Sequence, residues 1–242
     1  MIGKESDIPH EARRPFRDTG HHFAACQGFA SSRREGLTVA MTKEDMFCPE
    51  AVVGLGLERV PDFFFEGWQR YPHSVRTLEA GKVWAHEFPR LEPAHRIGIL
   101  SAPLKTTTFE PEVIMVYCDS AQLTLFLAAA MYEDGHTLTC QVSSKTACVY
   151  AVVPPIQTGN YQVSIPCPGD RRYAAAQHDE VIFSLPISKL EELISSLRRL
   201  EGYNQLPYHS VAQPDIEQNE SYVKLGRLMG MGWLKAKKKT SS

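Results

Sequence analysis

Apolar residues in this chain never run far before a proline, a glycine or a charged side chain interrupts them. The longest runs, Leu123 to Met131 and Val149 to Val153, fall well short of the roughly 20 residues that a bilayer-spanning helix needs, so no membrane partner is expected. What remains is a succession of short segments whose apolar period switches between helical and strand spacing, the pattern of helices interleaved with strands around a buried centre. The expected fold class is α/β, with α+β as the variant: a single core holding one mixed sheet flanked by helices.

Local signals divide the chain further. Residues 1–20 carry no apolar periodicity and read as a flexible amino-terminal arm. Phe23, Cys26 and Ala30 recur at helical spacing up to Gly36, and Leu37 to Met41 has strand character. Thr42-x-x-Asp45 has the form of a capping box, and Pro49 after Cys48 puts Cys48 at a helix start. The aromatic stretch from Pro61 to Pro93 reads as two short packing helices. Arg96 to Ala102 and Glu112 to Tyr117 read as central strands, the second leading into a helix capped by Asp119 or Ser120 and closed by Gly135. Ser144 to Val153 fits either helix or strand, with Pro154 and Pro155 as its stop. Tyr161 to Ile165 and Val181 to Leu185 alternate as strands do, and a helix capped by Ser188 runs through Arg199. These segments make one domain over 21–203, while 204–242 reads as a peripheral extension with a basic end at Lys235 to Lys239.

Charge and motifs remove several function classes. The 26 basic and 28 acidic residues leave a formal charge of -2, so no global field draws the chain toward nucleic acid. Residues 1–20 lack the apolar core of a secretory signal, which points to the cytoplasm. Gly54-Leu55-Gly56 starts like a dinucleotide fingerprint but lacks the third glycine. There is no Walker loop, His-Glu-x-x-His pair or Gly-x-Ser-x-Gly elbow.

The cysteines carry the remaining signal. Six in 242 residues are too few for a disulfide scaffold, and a reducing compartment keeps them as thiols or gives them to a metal. None forms a C-x-x-C pair, so a shared site must be assembled by the fold. Cys26, Cys48, Cys148 and Cys167 fall on four different elements, the last in a Pro-Cys-Pro-Gly turn before Asp170 and Arg171. A buried cysteine is more often a small hydrophobe than a ligand. Cys48 stands apart because a helix amino terminus stabilises thiolate.

Several ordered blocks extend this picture: the Cys26-Gln27 helix, Asp45-Met46-Phe47-Cys48-Pro49 with Gly54-Leu55-Gly56-Leu57, the Val113 to Tyr117 strand with Ser120-Ala121, Ala147-Cys148, and Ser164 to Arg171 leading to Asp179-Glu180 and Pro186. In order and spacing they resemble the family called domain of unknown function 169, from about Phe23 to Tyr203. The resemblance implies an α/β fold and cytoplasmic residence, and supplies no activity. It also implies a second cysteine where this chain has Asp170, and an initial strand for which Met1 to Gly20 offers no candidate. Cys118 and Cys140 lie outside the matching blocks and read as core or bystander residues.

Three functions follow as expectations. The leading one is an iron-sulfur or zinc site built from Cys26, Cys48 and Cys148, with Cys167 as fourth ligand or near neighbour, serving redox chemistry or a small-molecule ligand. The rival is a non-catalytic module whose Gly169-Asp170-Arg171 turn holds a small acidic ligand or a partner. The third is a thiol enzyme with Cys48 as nucleophile and His21, His22 or His86 as base.

Overall fold

The short β-branched runs form strands, and hydrogen bonding sorts them into two antiparallel sheets. Strands β1 (Val39–Thr42) and β2 (Gly98–Ser101) pair as a ribbon, with Val39 opposite Ser101. Strands β3 (Val113–Cys118), β4 (Gln162–Ser164) and β5 (Val181–Pro186) form a second sheet in the order β3-β5-β4. The computed structural model describes residues 1–93, 96–201 and 219–236, and the chain divides into two units, Met1–Glu201 and Gly202–Ser242.

The first unit is an α+β mixture, and its strands occupy two sheets where one mixed sheet was expected. Neither β2 nor β3 is central. That place belongs to β5, which is buried along almost its whole length, while β3 is an edge strand in which only Ile114 and Cys118 are buried. Ser184 of β5 faces Met115 on one side and Gln162 on the other.

Among the described residues nine α-helices precede residue 201: α1 (Pro15–Thr19), α2 (Ala25–Glu35), α3 (Pro49–Gly54), α4 (Asp62–Phe65), α5 (Leu78–Glu87), α6 (Ser120–Ala130), α7 (Ala147–Thr158), α8 (Pro168–Tyr173) and α9 (Leu190–Arg199). Gly36 closes α2 in the left-handed conformation, with φ 74°, where a Cβ would add strain. Thr42 and Asp45 do cap a turn, the Thr42 amide donating to Asp45 Oδ2 at 2.9 Å.

The amino-terminal twenty residues are laid on the domain, contrary to the flexible arm expected. Ile2 is 1% exposed and exchanges backbone hydrogen bonds with Gly98 and Ile97, extending the β2 edge by one residue. Arg13 brackets the other strand, donating to Thr38 O and accepting from Ala40 N. The Arg14 guanidinium binds Glu5, Thr42 and the buried Asp45. These anchors are single residues at irregular spacing, so no period announced them.

Helix α7 runs through Pro154 and Pro155, which were read as its stop. Pro155 cannot donate to the Ala151 carbonyl one turn back. The Ser184 hydroxyl donates to that carbonyl instead, at 2.6 Å, so the helix continues against β5 with its freed acceptor satisfied.

The second unit contains α10 (Glu220–Leu228), capped by Asn219, whose side chain accepts from Tyr222 N at 3.0 Å. Gly226 lets Leu234 fold back onto this helix, because a Cβ there would lie 2.1 Å from Leu234 Cδ1. Of the basic run, Lys237 to Lys239 fall outside the described residues. Among the described residues no helix is long and apolar enough to cross a membrane.

Candidate functional site

Each of the four cysteines singled out from the sequence lies at the start of a helix. Cys26 is the second residue of α2 and Cys148 the second of α7; Cys48 and Cys167 are the N-caps of α3 and α8. The two caps share a cause: the proline that follows has its φ pre-set for a helix and no N–H to leave unpaired. The Pro-Cys-Pro-Gly segment is therefore a helix start as well as a turn, and its Pro168 was a readable signal.

Every pair among Cys26, Cys48, Cys148 and Cys167 is close enough that charge on one thiol makes ionisation of the other harder. Asp170 acts in the same sense on Cys26, Cys148 and Cys167. Three of the thiols are buried and Cys48 is half-buried. Burial is the largest influence on all four and pushes each thiol's pKa up. A helix amino terminus contributes about 0.3–1 kcal/mol toward the thiolate, whereas full burial shifts a pKa by up to about 3–5 units. Burial therefore wins, and the thiols hold their protons at neutral pH.

The last residue of α3 packs closely against the first turn of α7. A Cβ on Gly54 would lie 2.7 Å from Val149 Cγ1, closer than packed side chains allow. Beside this contact Glu50, Arg70 and Thr146 form a clamp. Arg70 donates to Glu50 Oε2 at 2.8 Å and to Thr146 Oγ1 at 3.2 Å, Thr146 donates to Glu50 Oε2 at 2.8 Å, and the guanidinium lies 3.7 Å over Trp84. The clamp ties the first turn of α3, which follows Cys48, to Thr146, the N-cap of the Cys148 helix. Thr146 adopts φ 56°, an unfavourable conformation for a β-branched residue, and its two side-chain bonds hold it there.

Asp170 faces inward and is fully buried. It accepts from the Cys167 amide at 3.3 Å and Sγ at 2.9 Å, and from Tyr117 Oη at 3.4 Å. Burial raises its pKa, against the pull of these donors. Arg171 points elsewhere, donating to the Gln177 carbonyl, so the two residues do not act together on one ligand. Tyr117 carries Arg33 on its ring, 3.9 Å from the guanidinium carbon to the centroid, and burial raises its pKa strongly. Cys118 lies in the core beside β5, its pKa pushed up to about 11 by burial, and Cys140 accepts from Val163 N at 3.3 Å. Among the histidines, His22 Nδ1 is engaged with Glu44 O at 2.8 Å and His86 packs on Phe65. Among the described residues, no group of three or more His, Cys, Asp or Glu side chains is closed up as a single metal ion requires.

Residues 1–196 match the model of domain of unknown function 169, described as uncharacterised ArCR. The chain belongs to this family. Within the domain of unknown function 169 family it is similar to an uncharacterized protein of Methanocaldococcus jannaschii, 22% identical over 175 residues that cover 71% of this chain and 75% of the archaeal one. No solved structure matches.

Proposed function

We propose that Cys26, Cys48, Cys148 and Cys167 are the ligand set of an iron-sulfur cluster, and that the protein uses it in redox chemistry or in binding a small molecule. One observation supports this reading: each of the four cysteines stands at the start of a separate helix, and every pair of thiols is near enough to sense the others' charge. Four packing cysteines have no reason to share both the helix position and the location.

A cluster suits the site better than zinc. Tetrahedral zinc bonds of about 2.3 Å demand sulfurs about 3.5–4 Å apart, and among the described residues no group of three or more His, Cys, Asp or Glu could hold a metal ion. A cluster interposes iron and sulfide between its thiolate ligands, so it accepts a wider set. The helix starts add partial positive charge where thiolates and cluster concentrate negative charge, and the burial that opposes ionisation of free thiols also keeps water from a bound cluster. Held by all four thiolates a cluster would supply an electron carrier; held by Cys26, Cys48 and Cys148, with Cys167 as a neighbour, it would leave one iron open to a small molecule. The protein's own part is to position the thiols and exclude water. The Gly169-Asp170-Arg171 reading has less support, because Asp170 turns toward the thiols while Arg171 is spent on a loop carbonyl.

The test is anaerobic purification from iron-replete cells, then reconstitution with iron and sulfide, with iron, sulfide and zinc assays and visible absorption. Iron and sulfide should be retained in the native protein, lost in Cys148→Ser and unaffected in Cys118→Ser. A colourless, metal-free product with all six thiols titratable after reconstitution overturns the proposal.

A further inference from the structure

A cavity of about 360 Å³ lies between β2, β3, α2 and α7, with Phe29, Met115, Val152 and Ile156 among its apolar walls and Arg33 and Tyr117 among its polar ones. Its size and apolar lining with a few polar groups are those of a small-molecule pocket.

Arg33 indicates what the pocket takes. One nitrogen, Nη1, is held by Glu180 at 2.6 Å. The other two, Nε and Nη2, are shielded from solvent and have no hydrogen-bond partner. These two form one edge of the guanidinium, the pair of parallel N–H donors that matches the two oxygens of a carboxylate. Tyr117 takes a face of the guanidinium and not its N–H bonds, which lie in its plane. Leaving such donors buried and unpaired is costly, so a ligand whose acceptors reach them, by a small shift of the side chains that now cover this edge, gains the bonds they lack. The local charge agrees. Arg33 and Arg34 share the single carboxylate of Glu180, at 2.6 and 3.8 Å, which leaves one positive charge over, and the acidic residue of the lining, Glu112, is held by the amino group of Met1.

We propose that this pocket binds a small apolar monocarboxylate, its two oxygens on the Nε–Nη2 edge of Arg33 and its hydrocarbon body against Phe29, Met115, Val152 and Ile156. Tyr117 closes the pocket on one side and reaches Asp170 with its hydroxyl on the other, so the ligand sits one side chain away from the thiols. The binding itself does not depend on whether those thiols carry a cluster.

Octanoate is the probe, titrated calorimetrically into the full chain, with octanol as the uncharged comparison and iron measured on the same batch. Octanoate should bind at least tenfold more tightly than octanol, the margin of a charge-assisted pair. Arg33→Lys keeps the charge and a partner for Glu180 but loses the two-donor edge, and should weaken octanoate about tenfold while leaving octanol unchanged. Ile156→Trp fills the cavity and should abolish both, with an unchanged circular dichroism spectrum as the check on folding. Equal affinity for acid and alcohol, undiminished binding by either variant, or no binding of octanoate overturns the inference. Octanoate binding by iron-free protein upholds it even where the cluster assignment fails, and a cluster-loaded protein indifferent to octanoate refutes the pocket alone.

Discussion

Glu50→Ala tests whether the clamp that ties the starts of α3 and α7 is a structural requirement. The Arg70 side chain is 6% exposed and that of Glu50 20%, so removing the carboxylate leaves a cation with almost no access to water. Breaking a buried pair from one side costs about 3–5 kcal/mol. Because Glu50 keeps partial contact with solvent, the lower end applies, about 3 kcal/mol. For a domain of this size about 2–4 °C of melting temperature is lost per kcal/mol, so the expected drop is roughly 6–12 °C. Urea unfolding, extrapolated linearly to water, measures the same loss as free energy. Glu50→Gln keeps acceptor and shape without the charge and should fall between wild type and Glu50→Ala. In the double variant Glu50→Ala/Arg70→Met the uncompensated cation is gone, so the combined loss should be smaller than the sum of the single losses by more than about 1 kcal/mol. A Glu50→Ala protein within about 1 kcal/mol of wild type would refute the reasoning, since that is the scale of a solvent-exposed pair.

Two further outcomes follow. In iron-free protein, burial holds the pKa values of Cys26, Cys48, Cys148 and Cys167 above their unfolded value. Their contribution to stability is thus complete below about pH 8.5 and is lost as pH rises toward the folded values. The urea midpoint should be level from about pH 7 to 8.5 and fall above it, less steeply in Cys148→Ala, and a midpoint constant or rising to pH 10 contradicts this. Ser184→Ala strips the Ala151 carbonyl of the donor that replaces Pro155 and should cost about 1–3 kcal/mol in urea unfolding; a loss under about 0.5 kcal/mol would mean that α7 tolerates its prolines without β5.

Signals confined to one turn of chain were legible in the sequence. Gly36 marks the end of α2, Thr42 and Asp45 the cap between β1 and α3, and Pro49 the helix start at Cys48, because each acts through the backbone of its own neighbours. Errors arose where a distant group supplies the missing partner. Pro154 and Pro155 are sound stop signals by themselves, and only Ser184, thirty-three residues past Ala151, makes α7 continue. Sheet order was equally hidden: β3 and β5 are both apolar, and the choice of β5 as the centre depends on β4 pairing with its other edge. At the site, the four cysteines could be named from the sequence, whereas Thr146, Arg70 and Tyr117 could not. Nothing in a threonine, an arginine or a strand tyrosine announces that it will meet Glu50 or Asp170 across the fold.

Spacing hid one further regularity, because a thiol's place in a helix and its place in the chain are separate facts. The four cysteines stand at unrelated intervals, so a search for paired ligands finds nothing, yet all four occupy an N-cap or the second helical position. Side chains on a helix lean toward its amino terminus, and those at its start therefore project past the end of the helix into the space ahead of it. Helices whose starts lie near one another present their first side chains to a shared space whatever loops connect them. Burial and packing can be met by any small residue at such positions. Sulfur at all four adds side-chain type to helix position, and the proposed ligand set rests on that coincidence.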